Sequence, residues 1–532
     1  MNGATSTSGR LRIIWGWLVL LLLAPGSIPA RTVNLTILHT TDLHGSIRAT
    51  PDIYLEHNSG SLLQCATLIR QIREENPHTI LLDGGDVFQG TAESLLTRGR
   101  IMSTAMNAMD YAAFAVGNHE FDWGVDNLNE WLLTMRATPL AANMLAGPNA
   151  PPAFRDRVRP YIILEMDGIK VAVIGLTTPN IPQWFREVNE RDLRVLDSRR
   201  ALEAILPRVR KEQPQVMILL AHQGLMVADD AANEINGICR RFGEFDLVLG
   251  GHLHWVLAGA RIGRADYAQS GSGAQGVMRI DLQYDTVKKE VVDKTFTYLP
   301  VGEHIPEDPE IRDLVAKDLE RADRYLNTRI GWTKNELSYS LAGAGLSPVQ
   351  QLLCAAIAYQ TGADVVLHGP LSNHRIPAGE IRMADIWRLV PYENNIGVVT
   401  LNAAEIQTIM EEAAVYLGTD RYFGTWGLQY EVHSYAPEGH RIRNLRMADG
   451  SPIHYKVRLK VALNSYHLSG GGGRFPNLAQ IAAAPKSRLE IQPDSTRDML
   501  IHYVRAKRSV DISAGTNATV VAEPPPRRAR HK

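Results

Sequence analysis

The chain has 532 residues, 45% hydrophobic and 21% charged, a balance typical of globular proteins. At about 100–200 residues per domain, this length predicts two to four domains, each with its own hydrophobic core. The 56 lysines and arginines nearly balance the 57 aspartates and glutamates, and the net charge of −1 excludes the basic surface of a protein that binds nucleic acid polymers.

The first 30 residues have the pattern of an export signal. Arg10 and Arg12 precede an apolar run of 12 residues, Ile13–Ala24, and small residues at 26–30 offer a cleavage site. A transmembrane helix needs about 20 residues, so this run is too short to be one. We therefore expect an exported protein, periplasmic or extracellular, with no transmembrane span after signal removal. The alternative is an uncleaved anchor.

Short apolar segments alternate with helical patterns from residue 33 to about residue 300. They have the length of strands and are bounded by Gly, Asp or Asn, at 33–38, 79–82, 112–116, 170–174, 216–220 and 246–249. Near-continuous apolar runs are expected for strands that helices cover on both faces. The pattern predicts a layered α/β domain over residues 31–303.

A charged segment of helical period, 306–329, follows this domain. We predict a solvated connecting helix there, within a linker of residues 304–336. A second α/β or α+β domain is predicted over residues 337–510, with helices at 348–361 and 403–417 and strands at 364–367, 427–433 and 456–462. Residues 511–532 end in a Pro- and Arg-rich stretch with nothing apolar to bury, which predicts a disordered tail.

Five polar clusters follow predicted strands of the first half. They are Asp42-Leu43-His44, Gly84-Gly85-Asp86, Gly117-Asn118-His119-Glu120-Phe121-Asp122, His222, and Gly250-Gly251-His252-Leu253-His254. The carboxyl ends of strands in an α/β sheet share one edge, so we expect these side chains to converge. Within two of the clusters, ligands two residues apart would point the same way if the loop is extended.

The types of these residues predict a metal site. Carboxylates mixed with imidazoles suit divalent zinc, manganese, iron or cobalt. Seven candidate ligands are too many for one tetrahedral ion and are about right for two ions with a bridging carboxylate. The sequence leaves open which metal is bound.

The order of the clusters resembles that of the calcineurin-like metallophosphoesterase superfamily. The second half is similar to the 5′-nucleotidase family in Ile376-Pro377-Ala378-Gly379-Glu380, Pro391-Tyr392-Glu393-Asn394 and Asn464-Ser465-Tyr466. The resemblance covers residues 33–510. It implies a layered α-β-β-α catalytic domain, joined by a helix to a second α/β (α+β) domain that binds the substrate, a small-molecule phosphoester.

The resemblance also implies roles for nine residues of these clusters. Asp42, His44 and His254 would bind one ion; Asn118, His222 and His252 would bind the other; and Asp86 would bridge the two. His119 would meet the phosphoryl group or the leaving oxygen, and Asp122 would orient His119 and stabilise its charged form. Two divalent ions polarise phosphoryl oxygens and activate a bound water for attack.

In the second domain, the resemblance implies that Tyr422 and Tyr466 sandwich a nucleobase and that Asn394 contacts the nucleoside. The alternative is that both tyrosines are ordinary half-buried aromatics. Two departures from the family pattern affect the substrate. Asn373 stands where the family has a substrate-binding arginine, with Arg375 two residues later. The altered glycine-rich segment, residues 470–473, is followed by Arg474, a candidate to replace the missing cation.

We therefore predict an exported binuclear-metal phosphohydrolase that acts on nucleoside 5′-monophosphates or related nucleotides. Within the same architecture, nucleotide sugars, cyclic nucleotides and a sulfur-containing substrate remain alternatives. The alternative from another class is a binding protein without turnover, but a complete ligand set together with His119 and Asp122 argues against it. The oligomeric state stays open.

Overall fold

The computed structural model describes residues 31–50, 60–185, 187–340, 344–391, 394–419, 421–422, 424–454, 456–468, 470 and 473–523. The predicted export signal, 1–30, and the end of the predicted tail, 524–532, lie outside these residues. In the ranges described, no helix combines the length and the apolar composition that a bilayer crossing requires.

The first half alternates strands with helices. Its strands are β1 (Thr32–Thr40), β2 (Thr79–Asp83), β3 (Ala113–Ala115), β4 (Thr138–Leu140), β5 (Met144–Ala146), β6 (Tyr161–Met166), β7 (Ile169–Leu176), β8 (Leu193–Val195), β9 (Val216–Ala221), β10 (Leu247–Leu249), β11 (Val256–Ile262), β12 (Ala265–Ser270), β13 (Gly276–Asp285) and β14 (Glu290–Pro300). Its helices are α1 (Leu62–Glu75), α2 (Ala92–Leu96), α3 (Arg100–Ala108), α4 (Val125–Thr134), α5 (Pro152–Asp156), α6 (Ile181–Trp184), α7 (Glu187–Glu190), α8 (Ser198–Lys211) and α9 (Ile235–Arg241). The strands predicted in this half are confirmed, each within two residues of its predicted bounds.

Two sheets stack face to face in this half. Within the described residues, their strand orders are β14-β13-β1-β2-β3-β4 and β11-β12-β10-β9-β7-β6. Their inner faces share one apolar core, to which Leu35 and Ile280 contribute from the first sheet and Val173 and Ile218 from the second. Full burial of such side chains stabilises the fold by about 1.5–3 kcal/mol each.

Helices cover both outer faces of the stacked sheets. Leu38 and Phe114 on the first sheet belong to one core with Ile69 of α1. Ile174 of the second sheet packs in a separate core with Leu202 of α8. The α-β-β-α layering that the resemblance implied is therefore confirmed. Parallel pairing of β1 with β2, of β2 with β3 and of β9 with β10 brings the carboxyl ends of these strands to the same edge of each sheet.

The connecting segment contains α10 (Pro309–Leu326), which begins after Asp308. Asp308 caps the helix by accepting hydrogen bonds from the backbone N–H groups of Glu310 and Ile311. The prediction of a solvated helix was wrong for one face, because Ile311, Val315 and Leu319 are buried in the core of the first half. Ion pairs add to this contact: Arg48–Asp323 at 2.6 Å, Arg70–Asp308 at 2.6 Å and Arg100–Asp318 at 2.7 Å.

The second half is a smaller α+β unit. Its elements are β15 (Arg329–Thr333), α11 (Pro348–Thr361), β16 (Val365–Leu367), β17 (Gly379–Arg382), α12 (Met383–Leu389), β18 (Asn395–Asn402), α13 (Ala403–Ala414), β19 (Thr425–Trp426), β20 (Leu428–His433), β21 (Ile442–Met447), β22 (Arg458–Asn464), α14 (Ser465–Leu468), α15 (Pro476–Ala483), β23 (Glu490–Ser495), α16 (Thr496–Lys507), β24 (Ser509–Val510) and β25 (Ala518–Val521). The predicted helices and strands are present, although α13 ends three residues earlier than expected.

The main sheet of the second half has the strand order β19-β16-β22-β18-β23 in the described part of the chain. β16 runs parallel to β22 and pairs Leu367 with Leu463. β18 runs antiparallel to β22 and pairs Ile396 with Asn464. The end of β16, the end of β22 and the start of β18 therefore lie together, at what we call the β16–β22 edge.

The prediction of a disordered tail over 511–532 was wrong for part of its length. Residues 518–521 form β25, which pairs in parallel with β20, with Val520 beside Val432. Asn517 supports this pairing, because its Nδ2 donates to the carbonyl oxygens of Thr425, at 2.7 Å, and Leu428, at 3.0 Å. The prediction gave weight to the Pro- and Arg-rich end and overlooked the preceding β-branched residues, which favour a strand.

Candidate metal centre

Two groups of side chains meet where the loops of the first half converge. In each, three candidate ligand atoms lie within 4.8 Å of one another. The first cluster is Asp42, His44 and His254, and the second cluster is Asp86, His222 and His252. The loops after β1, β2, β9 and β10 supply these residues, as expected for strands whose carboxyl ends share an edge.

The first cluster places two imidazole nitrogens against each other. His44 Nε2 lies 3.1 Å from His254 Nε2, and His254 Nε2 lies 3.5 Å from Asp42 Oδ1. His44 Nδ1 donates to the carbonyl oxygen of Gln89 at 3.1 Å, which leaves Nε2 as the nitrogen with a free lone pair. Burial is the main cause that lowers the pKa of His44 to about 3, so its ring is in the neutral form that metal binding requires.

The second cluster is centred on His222. Its Nε2 lies 3.0 Å from Asp86 Oδ2 and 3.2 Å from the amide oxygen of Asn118, and its Nδ1 donates to the Gly84 carbonyl at 2.8 Å. Burial lowers the pKa of His222, but the charge and hydrogen bond of Asp86, together with the charges of Asp42 and Glu120, outweigh burial and raise the pKa to about 9. A divalent ion binding here would displace the proton that His222 and Asp86 share.

Backbone contacts join the two clusters. The N–H of His252 donates to Asp42 Oδ1 and Oδ2, at 3.0 and 3.1 Å. The N–H of His119 donates to Asp86 Oδ1 at 2.8 Å. The structure therefore brings all seven residues predicted as ligands into one centre, with His119 beside it.

The chemistry of this centre fits two divalent ions. Asp42 and Asp86 are 0% and 1% exposed, and within the described residues their ion-pair partners are the histidines His254 and His222. Buried carboxylates without a permanent cation are costly, and burial is the main influence raising the pKa of Asp42. A metal ion at each cluster would supply the missing positive charge, and the mixed oxygen and nitrogen donors suit zinc, manganese, iron or cobalt.

Five of the candidate ligands have a backbone conformation that residues other than glycine rarely adopt. Asp42, His44, Asp86, His252 and His254 have positive φ angles of 51°, 47°, 57°, 72° and 59°. This left-handed conformation costs an L-residue on the order of 1 kcal/mol. The expectation of extended loops was therefore wrong, because sharp left-handed turns rather than strand-like backbone aim these side chains inward.

Glu120 is a buried residue of the site to which the sequence analysis gave no role. Its Oε2 accepts from the N–H groups of Asp86, at 2.9 Å, and Gly117, at 2.6 Å, and its Oε1 accepts from Val87 N–H at 2.6 Å. Glu120 thereby fixes the loop after β2 to the loop after β3. Its place beside Asn118 and His119 in a polar run was the available signal.

His119 and Asp122 form a hydrogen-bonded pair beside the first cluster. His119 Nδ1 lies 2.8 Å from Asp122 Oδ2, and the His119 ring centroid lies 5.3 Å from that of His44. Burial lowers the pKa of His119, but Asp122 and then Asp86 outweigh burial and raise the pKa to about 10. These two carboxylates therefore favour the protonated form of the ring.

The predicted substrate-binding residues lie in the second half. Tyr466 is 48% exposed, whereas Tyr422 is 6% exposed and its hydroxyl donates to the Ala344 carbonyl at 3.0 Å. The prediction that Tyr422 presents a ring face to a base was therefore wrong, because that ring is part of the domain core. Tyr466 keeps the exposure that stacking requires.

The polar candidates of the second half are more scattered. Asn394 precedes β18, and its carbonyl accepts from Thr496 N–H at 3.0 Å. Asn373 and Arg375 are exposed on the loop after β16. The Arg474 guanidinium donates to the Arg421 carbonyl and lies 5.1 Å from the Tyr416 ring centroid. Tyr392, Glu393, Gly471 and Gly472 lie outside the described residues.

Comparison with known families agrees with this geometry. The profile of the calcineurin-like phosphoesterases matches residues 35–256, which contain every candidate metal ligand. The profile of the 5′-nucleotidase C-terminal domain matches residues 329–480. The fold and the site define a metal-dependent phosphoester hydrolase. The chain belongs to the calcineurin-like phosphoesterases that carry a 5′-nucleotidase C-terminal domain.

Individual relatives extend the similarity along the chain. A 5′-nucleotidase of Bos taurus is 25% identical over 496 residues, which cover 84% of this chain and 84% of the relative. The trifunctional nucleotide phosphoesterase protein YfkN of Bacillus subtilis is 24% identical over 495 residues, 83% of this chain but 32% of the relative, so the chain spans about a third of that protein. The solved structure of a 5′-nucleotidase precursor from Thermus thermophilus covers 92% of this chain and 100% of its own, with a TM-score of 0.69 at 21% identity.

Gly117→Ala is expected to lower metal content and to reduce phosphate release about 10²-fold, as small misplacements of a site do. A Cβ at this position would lie 2.2 Å from Asp86 Oδ1 and 2.5 Å from Asp86 N, so the loop must shift. Elemental analysis and a phosphate assay measure both effects. Gly243→Ala is the matched control, because its added carbon meets only Arg264, at 3.5 Å. Wild-type metal content in Gly117→Ala would contradict the prediction.

Proposed function

We propose that the protein is an exported hydrolase of nucleoside 5′-monophosphates or related nucleotides, which it converts to nucleoside and phosphate. The observation that carries the proposal is the two-cluster centre, in which seven candidate ligands converge on one chain with a domain of the 5′-nucleotidase C-terminal type. Relatives named as 5′-nucleotidases support a nucleotide substrate. The pattern of residues 1–30 supports export.

The proposed ligand sets follow the geometry of the centre. Asp42, His44 and His254 would hold one divalent ion, and His222, His252 and the Asn118 amide oxygen would hold the second. Asp86 would be shared by both sets. When bound, such ions neutralise phosphoryl charge and make a water molecule acidic enough to act as a nucleophile near neutral pH.

His119, oriented by Asp122, would donate a proton to the leaving group. Asp122 accepts the Nδ1–H of His119, which fixes the ring and leaves the Nε2–H available for the substrate. As the bond between phosphorus and the nucleoside oxygen breaks, Nε2 would give its proton to that oxygen, while the oxygen of the attacking water becomes bonded to phosphorus. The protonated ring also stabilises the negative charge that builds on the phosphoryl oxygens.

Recognition of the nucleoside would occur at the β16–β22 edge. The half-exposed ring of Tyr466 is available to stack on a base, a contact worth about 1–3 kcal/mol. Asn394 directly precedes β18 at the same edge and would contact the nucleoside. Asn373, in place of the family arginine, changes the charge offered to the substrate, and Arg375 and Arg474 are the candidates to restore it.

Tyr466→Ala is expected to raise the KM for a nucleoside 5′-monophosphate about tenfold or more, because a base contact of this kind is lost. Hydrolysis of an aryl phosphate that reaches the centre without a nucleoside should hardly change, since stacking acts on a remote part of the substrate. Steady-state kinetics on both substrates measure the difference. Tyr422→Ala should instead lower the melting temperature, because that ring is in the core. Equal losses on both substrates would make Tyr466 a structural residue.

A substrate panel tests the proposed function directly. Purified protein is stripped with a chelator, reloaded with manganese, zinc or cobalt, and assayed for phosphate release. The panel holds nucleoside monophosphates, cyclic nucleotides, nucleotide sugars and sugar phosphates, and we expect the highest kcat/KM on a nucleoside 5′-monophosphate. Strong activity on sugar phosphates with none on nucleotides would reject the nucleotide substrate and leave the metal chemistry in place.

A further inference from the structure

Thr41 is a buried neighbour of the first cluster that has no part in the ligand sets proposed above. It lies between the end of β1 and Asp42 and is 2% exposed. Its hydroxyl donates to Asp42 Oδ2 at 2.7 Å, since an ionised carboxylate only accepts. Thr41 therefore contacts one oxygen of a candidate metal ligand without being a candidate ligand itself.

The backbone alone does not fix the rotation of the Asp42 carboxylate, because the last torsion of an aspartate side chain has a broad range. The N–H of His252 lies almost equally far from both oxygens, at 3.0 and 3.1 Å, so this contact does not hold one oxygen in preference to the other. The hydroxyl of Thr41 holds Oδ2, while Oδ1 lies 3.5 Å from His254 Nε2. The Thr41 contact thus directs Oδ1 toward the first cluster.

Two glycines enclose the hydroxyl of Thr41. A Cβ on Gly84 would lie 2.3 Å from Thr41 Oγ1, and a Cβ on Gly251 would lie 2.5 Å from it. The loops after β2 and β10 therefore leave a space for the hydroxyl that a side chain at either glycine would fill. Thr41 is also β-branched, which restricts the rotamers of its side chain. The hydroxyl is held in place before any ion binds.

Asp86, in the second cluster, is oriented differently. Its Oδ1 accepts the N–H of His119 at 2.8 Å, and its Oδ2 lies 3.0 Å from His222 Nε2. Each oxygen of Asp86 thus has a contact of its own, whereas Asp42 depends on a side-chain hydroxyl. A change at Thr41 is therefore expected to affect the first cluster and to spare the second.

We propose that Thr41 is a positioning residue that orients the Asp42 carboxylate for the ion of the first cluster. The inference rests on the ligand sets of the proposed function and adds a residue that touches neither ion nor substrate. Groups that hydrogen-bond to a metal ligand orient it, and their loss typically lowers metal affinity about 10–100-fold. Without the hydroxyl, a buried carboxylate oxygen also loses its donor.

Zinc titration of the chelator-stripped full chain, in competition with a chromophoric chelator, measures the affinity of each site without requiring turnover. We expect Thr41→Ala to weaken one zinc affinity about 10–100-fold and to leave the other nearly unchanged. Thr41→Ser differs from Thr41→Ala by a single oxygen atom and should bind both ions almost as the wild type does. If Thr41→Ala fails to fold, Thr41→Val gives the same comparison, because it fills the volume without a donor.

A second background assigns the weakened site. His254→Ala removes a ligand of the first cluster, so the zinc that this variant still binds belongs to the second cluster. Adding Thr41→Ala to His254→Ala should hardly change the remaining affinity, because the carboxylate that Thr41 orients no longer serves a complete ligand set.

Thr36→Ala is the matched control. Thr36 lies on β1, is 4% exposed and donates to Asp281 Oδ1 at 2.7 Å, the same distance as in the Thr41 contact. Loss of either hydroxyl should lower the melting temperature, since each donates to an aspartate. Thr36→Ala should leave both zinc affinities unchanged, because Asp281 is remote from both clusters.

The outcomes are distinct. Unchanged zinc affinities in Thr41→Ala, an equal loss in Thr41→Ser, or a further loss on the His254→Ala background would overturn the role of Thr41. A wild type that binds no zinc would reject the proposed ligand sets together with this role. Zinc binding that depends on Thr41 in a protein that hydrolyses no nucleotide would support the role and reject only the proposed substrate.

Discussion

Replacement of Asp86 by alanine is expected to remove both metal ions at once and to abolish phosphate release. Asp86 belongs to the second cluster, and its charge also raises the pKa of His44 in the first cluster. Its Oδ1 fixes the backbone of His119, so the variant loses a ligand and the position of the catalytic imidazole together. Loss of a residue that only hydrogen-bonds to a metal ligand typically lowers activity roughly 10–100-fold. Loss of Asp86 should lower activity by more than this.

Elemental analysis of the purified variant measures the first effect, with about two ions per wild-type chain as the reference for a binuclear site. Asp281→Ala is the matched control, since this aspartate lies on β13 and pairs with Thr36 and Arg279 away from both clusters. We expect the control to keep both ions. Two ions per chain in Asp86→Ala would reject the shared ligand.

Replacement of His119 by alanine is expected to leave both ions in place and to reduce turnover about 10²–10⁴-fold, the usual contribution of general acid–base catalysis. The nitrogen atoms of His119 are not among the atoms that group as candidate ligands. Asp122 accepts the Nδ1–H of His119, which leaves the Nε2–H of this ring to protonate a poor leaving group.

Comparison of two leaving groups checks this assignment. A nucleoside oxygen needs a proton as it departs, whereas an activated aryl oxide does not, so the variant should lose less on the aryl phosphate. Asp122→Asn should give an intermediate loss, because an amide still accepts the Nδ1–H but no longer stabilises the charged ring. Full metal content together with turnover within about threefold of wild type would exclude the role.

The two stacked sheets of the first half could be predicted from the sequence, because their strands are buried on both faces. β7, with the sequence IKVAVIGL, is apolar on nearly every residue, and such a run is incompatible with an exposed surface. The polar clusters follow these strands, so topology alone brings them together. The packing of the connecting helix was harder to predict, because its charges indicated solvent on all sides. Every fourth residue, Ile311, Val315 and Leu319, is nevertheless apolar and packs on the first half.

Local geometry could not be predicted, because it depends on contacts between distant segments. The left-handed backbone of the ligands has no pattern in sequence, since Asp and His also occur in ordinary loops. The role of Glu120 depends on three N–H groups from two loops. Tyr422 and Tyr466 are the same residue type, and only the packing around Ala344 and Tyr430 places one in the core and leaves the other half-exposed.

The positive φ angles of the five metal-ligand residues make the stability of the protein and its activity compete. Glycine adopts a positive φ without steric cost, so Asp42→Gly would relax the backbone at this position and also remove a buried carboxylate. A library of variants selected for heat resistance alone would therefore accumulate glycines at the metal ligands and lose catalysis. Selection for thermostable forms of this enzyme has to be coupled to turnover in every round, or these five positions have to be held fixed.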